Sequence, residues 1–133
     1  MEFIRETEAQ AARNDGFQAS ILVDGKIAGV IGFTDVDWEN RSTGLGYWLG
    51  GKYEGRGVMA EAVRTMVDHA LMVWKLNRVE IRAAVENRRS RAIPERLGFS
   101  LDGTLRKAER VNGRYVDSAV YSMVAADWRS QKG

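Results

Sequence analysis

Period-two alternation of apolar and polar positions is clearest at Val79, Ile81, Ala83 and Val85, and predicts a strand over residues 78–85. Weaker alternation, bounded by turn residues, predicts strands over residues 17–23, 26–33, 43–49, 99–108 and 115–124. Asp24-Gly25 and Asn112-Gly113 supply two-residue hairpin turns within this series. Over residues 57–75 the period changes. Val58, Met59, Ala62, Val63, Met66, Val67, Ala70, Val73 and Trp74 recur at helical spacing, with Glu61, Arg64, Asp68 and Lys75 on the other face. A helix is also predicted over residues 2–14, and a short one over 88–97 that Gly98 stops. The strand at 78–85 follows a crossover helix and should therefore lie parallel to the strand at 43–49. The order α-β-β-β-α-β-α-β-β predicts an α/β mixed sheet, mostly antiparallel, with helices on its faces.

Composition narrows the chemistry. At 133 residues the chain reads as one domain, residues 1–133, with a real core and no linker, repeat or low-complexity segment. The absence of cysteine excludes disulfides, thiolate metal sites and cysteine nucleophiles. One histidine, His69, argues against a histidine metal cluster or a serine-histidine triad, so no metal is expected. It reads as a surface or packing residue of its helix. A net charge of +2 slightly favours an anionic ligand and does not point to nucleic acid. No apolar run reaches membrane-spanning length and the acidic start is no signal peptide, so a cytoplasmic location is expected.

The chemistry concentrates between residues 46 and 62, where a short apolar strand, a glycine-rich turn and a helix follow one another. Gly55 and Gly57 allow backbone conformations denied to side chains and let a ligand approach the main chain. The helix that opens there presents unpaired N–H groups and a partial positive charge, a setting for phosphate. The nucleoside-triphosphate loop is excluded, because no Gly-Lys-Ser/Thr run is present. A dinucleotide fold lacks the acidic residue that should end a second parallel strand about 20 residues on.

Glu54-Gly55-Arg56-Gly57-Val58-Met59 resembles the acyl-CoA pyrophosphate loop of the GNAT N-acetyltransferases, whose pattern is Gln/Arg-x-x-Gly-x-Gly/Ala. Tyr47-Trp48-Leu49 before it, and Asn87, Ser90 and Glu95-Arg96-Leu97-Gly98-Phe99 after it, resemble the RimJ/RimL branch. That branch acetylates protein N-termini and some small amines. Two positions depart from the pattern: Glu54 stands where Gln or Arg is usual, and Met59 where Gly or Ala is usual. The resemblance implies acetyl-CoA as cosubstrate and a GNAT-like fold with a splayed parallel strand pair at its centre. It also implies one further strand and helix before residue 1, so the chain reads as shortened at its start. An unpaired strand edge left there invites association, and a homodimer is expected.

The resemblance assigns pantetheine to the gap between the parallel strands, bonded to main chain near Trp48 and Leu49 as an added strand. Trp48 also reads as ordinary core. The turn through Tyr47, Glu54, Gly55, Arg56, Gly57, Val58, Met59 and Ala60 completes the cofactor set. Asn87 caps the helix after it, and the resemblance adds a bond to pantetheine. Arg88, Arg89 and Arg91 serve either the CoA phosphates or a solvated face. Many GNAT enzymes carry a proton-donating tyrosine four residues after Ser90, where this chain has Pro94. The resemblance to the RimL pattern instead implies Ser90 near the thioester, as a hydrogen-bond donor to the leaving thiolate or a relay for water; it also reads as an exposed serine early in its helix. Pro94, lacking N–H, frees the Ser90 carbonyl from its helix bond. Glu109 stands where the branch carries its base, to take the amine proton directly or through a water. Asp35, Asp37 and Trp38 fall in a loop that could border the acceptor. The expected reaction is direct acetyl transfer to a primary amine, a protein N-terminus first. A small-molecule amine (polyamine, amino acid or antibiotic) and a non-catalytic CoA-binding module are the alternatives.

Overall fold

Gly25, Asn112 and Gly113 take φ values of 78°, 51° and 78°, the positive torsions that tight hairpin turns require. They fold neighbouring strands back on one another in a computed structural model that describes residues 2–5, 18–23, 25–50 and 57–132. The strands are β1 (Glu2–Arg5), β2 (Gln18–Val23), β3 (Lys26–Asp37), β4 (Ser42–Leu49), β5 (Arg78–Ala84), β6 (Ser100–Val111) and β7 (Arg114–Val124). They form a seven-stranded sheet in the order β1-β2-β3-β4-β5-β7-β6. Among the described residues only β4 and β5 run parallel, as the crossover argument requires; each other neighbouring pair is antiparallel. The helices are α1 (Val58–Asp68), α2 (Arg88–Arg96) and α3 (Ala125–Lys132). Among the described residues no helix is long and apolar enough to cross a membrane.

The apolar stripe of α1 packs on one face of the sheet. Ala62, Val63 and Val67 are fully buried there, against a floor that includes Ile31, Val79 and Ile81. Each such side chain contributes roughly 1.5–3 kcal/mol on leaving water. The helix is continued by a π turn over His69–Val73, with Trp74 N–H donating to the His69 carbonyl at 3.0 Å. His69 meets Trp74 edge to face, with ring centroids 5.0 Å apart. Trp74 in turn contacts Phe33 and Trp38, at 5.0 and 5.5 Å. Trp38 therefore belongs to an aromatic cluster beside the core.

Three expectations need correction, and one element adds to them. Glu2–Arg5 is strand, not the start of a helix, because its backbone pairs with the edge of β2 from Glu2↔Leu22 to Arg5↔Ala19. A four-residue helical turn costs nucleation entropy that an available sheet edge does not. The remainder of that predicted helix lies outside the described residues, and the edge beside β2 carries β1. The loop expected from Asp35 is shorter, since β3 runs on to Asp37 across a register shift, with Asp35 at φ 45°, and leaves the turn at Trp38–Arg41. The strand begun at residue 99 continues past 108 to Val111, so Glu109 lies within β6 and not at its end. Finally, the chain after β7 forms α3, whose Trp128 is buried and donates to Asp68 at 3.1 Å.

Candidate functional site

Pairing between β4 and β5 covers Ser42↔Arg78 to Leu45↔Ile81 and then stops. Beyond it, Gly46–Leu49 stays paired with β3, while Arg82–Ala84 stays paired with β7. The two strands thus part, and each turns a row of peptide groups toward the gap. Helices α1 and α2 begin beside it. A cleft of about 430 Å³ lies there, lined by Tyr47, Trp48, Gly57–Ala60, Asn87 and Ser90, and by Arg89, Ala92, Ile93 and Arg96 of α2.

At the start of α1, Gly57 is the N-cap at φ 74° and ψ 2°, a left-handed conformation that favours glycine. Among the described residues a β-carbon there would meet nothing within 4 Å. At the start of α2, Asn87 caps the helix, its Oδ1 accepting from the Ser90 N–H at 3.1 Å. Two helix N-termini therefore face one cleft, and both favour negative charge. The arginine cluster divides. Arg91 is committed elsewhere, donating to the Tyr121 hydroxyl at 2.9 Å and the Val85 carbonyl at 3.0 Å. Arg89 lines the cleft and Arg88 does not. Arg96, which the sequence offers only as part of Glu95-Arg96-Leu97-Gly98-Phe99, also lines the cleft, seven residues after Arg89 and so on the same helix face.

Two phenols hold α2 to the sheet from either side of the gap. Tyr121 of β7 is fully buried and donates to Glu95 Oε2 at 2.6 Å. Burial raises its phenol above the ordinary value, and the bond to Glu95 adds to that. Tyr47 of β4 donates to the Ser90 carbonyl at 3.0 Å. Burial pushes the Tyr47 phenol well above its ordinary range, with a smaller contribution from Tyr121. Trp48, its neighbour, is 65% exposed at the cleft, so core packing is not its role.

The structure brings together Tyr47, Trp48, Gly57, Val58, Met59, Ala60, Asn87 and Ser90. Glu54, Gly55 and Arg56 lie outside the described residues, and of Leu49 only the backbone is described. Glu109 does not line the cleft. It is an exposed residue of β6 opposite Val116, directly after a register shift in which Lys107 takes φ 51°. Asp35 and Asp37 line a separate polar cavity with Thr34, Ser42, Arg78, Glu80 and Arg82, beside the paired part of β4 and β5. Among the described residues no group of side chains could hold a metal ion.

Comparison with known proteins agrees with this geometry. Residues 1–100 match the acetyltransferase (GNAT) domain. YdaF of Bacillus subtilis, whose name assigns it provisionally to ribosomal N-acetylation, is 38% identical over 97% of this chain and 70% of its own length. The ribosomal-protein-serine acetyltransferase of Escherichia coli is 31% identical over 78% of this chain and 58% of its own. The Escherichia coli spermidine N(1)-acetyltransferase is 26% identical over 69% of this chain and 50% of its own. Among solved structures, that of a probable acetyltransferase superposes with a TM-score of 0.86 at 39% identity, over 90% of this chain and 66% of that one. RimL, a ribosomal L7/L12 alpha-N-protein acetyltransferase in complex with coenzyme A, gives 0.82 at 28% identity, over 86% and 65%. The chain thus spans between half and 70% of the curated relatives described. With its parted β4 and β5 and the helix N-termini beside them, the chain belongs to the GNAT family of acetyl-CoA-dependent N-acetyltransferases.

Proposed function

We propose that this chain transfers an acetyl group from acetyl-CoA to a primary amine, with the N-terminal amine of a protein as acceptor. The observation that carries the reading is the gap beyond Leu45↔Ile81, opening on a cleft where two helices begin. Pantetheine fits that gap as an added strand, bonded to the peptide groups of β4. The first N–H groups of α1 suit the pyrophosphate, and Arg89 and Arg96 are placed to meet phosphate oxygens. Gly55 and Arg56 would complete the turn, and Asn87 adds a bond to the pantetheine arm.

In the reaction, the neutral amine attacks the thioester carbonyl, the carbon–sulfur bond breaks, and the thiolate leaves. A β4 N–H near Leu49 would hold the developing oxyanion. Ser90 would donate to the departing sulfur, because a serine hydroxyl is too weak an acid to do more. Glu109 would accept the amine proton through a water; the register shift before it takes residues 106–108 out of the ladder, and pairing resumes at Glu109↔Val116. A protein N-terminus is supported by the ribosomal-protein relatives and the RimL structure. A small polyamine is the second reading, supported by the spermidine relative and by the carboxylates of Asp35 and Asp37 at the polar cavity.

The lack of cysteine and the use of acetyl-CoA suit the cytoplasm. A homodimer remains the expected assembly, because β1 is itself an edge strand of the sheet. The test is thiol release from acetyl-CoA with peptides of varied N-terminal residue and with spermidine. Peptide-dependent release, lowered at least tenfold by Glu109→Gln, supports the reading and its base. Release with spermidine alone moves the acceptor to the small amines. Coenzyme A binding without release by any amine leaves a non-catalytic module.

A further inference from the structure

A regular α-helix would satisfy the Ser90 carbonyl with the N–H four residues on. That residue is Pro94, which has none, and its ring is fully buried within α2. The carbonyl accepts from the Tyr47 hydroxyl instead, at 3.0 Å across the cleft. The bond joins β4, beyond the point where it leaves β5, to the first turn of α2. On that turn the Ser90 N–H is held by Asn87, so both backbone groups of Ser90 are fixed by side chains. Tyr47 is half-buried against the core, and its phenol keeps its proton through neutral pH.

We propose that Tyr47 is a positioning residue for Ser90: its hydroxyl replaces the helix bond that Pro94 withholds, fixing Ser90 and the width of the cleft. The inference rests on the acetyl-transfer reading, in which Ser90 faces the departing sulfur. Tyr47 does not touch the reacting atoms in this scheme. It determines where Ser90 stands when the carbon–sulfur bond breaks, and Pro94 is what makes that dependence strong.

The test is a double-mutant cycle of Tyr47→Phe and Pro94→Ala on the full chain, read by kcat and KM in thiol release and by urea unfolding. Tyr47→Phe keeps the ring and should lower kcat about two- to tenfold with KM for acetyl-CoA nearly unchanged. In the Pro94→Ala background the same change should cost markedly less, because the new N–H at position 94 takes the carbonyl. Equal costs in both backgrounds, or a loss confined to KM, would overturn the proposal. A merely structural tyrosine would shift unfolding and leave kcat in place. If the unmodified chain releases no thiol with any amine, the acetyl-transfer reading fails separately. The coupling is then judged on unfolding alone, where additive effects of the two substitutions would still sink it.

Discussion

The two ends of the β4–β5 pair are made of the same strands and are put to opposite uses. From Ser42 to Leu45 their backbone groups satisfy one another, and one face of that ladder rests on the core through Leu45, Val79 and Ile81. The other face carries a charged network: Glu80 accepts from Arg78 at 3.0 Å and from Arg82 at 2.7 Å, and Arg78 also donates to Asp102 at 2.9 Å. From Gly46 onward the ladder is open, and α2 is tied to β4 by a phenol and not by strand pairing. The closed end provides rigidity. The open end leaves hydrogen-bonding capacity unspent, the property a site for an extended amide ligand requires.

Substitutions should divide along that line. The largest effect is expected at the closed end, where Ile81→Ala removes a fully buried side chain and should cost roughly 2–5 kcal/mol in urea unfolding. Coenzyme A affinity, measured on the fraction still folded, should change little. At the open end Gly57→Val should do the reverse, weakening coenzyme A more than about tenfold in calorimetry, by setting a β-branched residue at φ 74° over the first N–H groups. Equal losses of stability in the two variants would erase the distinction.

Asn87→Ala sharpens the comparison, because Asn87 is both cap and cleft residue. It should cost about 1 kcal/mol of stability and lower coenzyme A affinity as well. A loss of stability alone would confine Asn87 to capping.

The smallest effect is electrostatic. Burial acts to raise the Glu80 carboxyl, but hydrogen bonds and charge from Arg82 and Arg78 outweigh it and hold the group below its ordinary value. A depressed carboxyl stabilises the fold above its ordinary value of about 4.3, and that contribution is lost as pH falls through the lower folded value. Glu80→Gln should therefore cost about 0.2–1 kcal/mol at pH 7, and the gap to the unmodified protein should close in acid. A gap independent of pH would mean that the charge contributes nothing.

The sequence disclosed this division only partly. The alternation at Val79, Ile81, Ala83 and Val85 and the helical stripe from Val58 to Val67 are strong periodic signals, and both elements stand where they predict. Residues 2–5 carry no such signal, since four residues fit either a helical turn or an edge strand until a partner decides. Asp35 and Lys107 mark register shifts that alternation cannot show, because a shift is a relation between two strands. In the site, glycine spacing and the Asn87–Ser90 motif led to the cleft. The contrasting fates of Arg89 and Arg91 depend on which face of α2 meets Tyr121, a tertiary fact. Glu109 was chosen by resemblance, and nothing local to its strand draws it toward the cleft.

The π turn after α1 has a consequence for how this helix tolerates change in length. One extra residue in a turn rotates everything that follows by about 100° relative to an uninterrupted helix. Here that rotation delivers Trp74 to Phe33 and Trp38, while Leu76, fully buried, begins the return to β5. The stripe before the turn and the anchor after it are consequently out of phase by design of the chain length. A one-residue deletion within His69–Val73 would restore a regular helix and leave Trp74 on its aromatic neighbours without touching the cleft, whereas a one-residue insertion would have to find a second such turn. Natural variation in helix length should therefore be absorbed at this point and nowhere nearer the glycine turn.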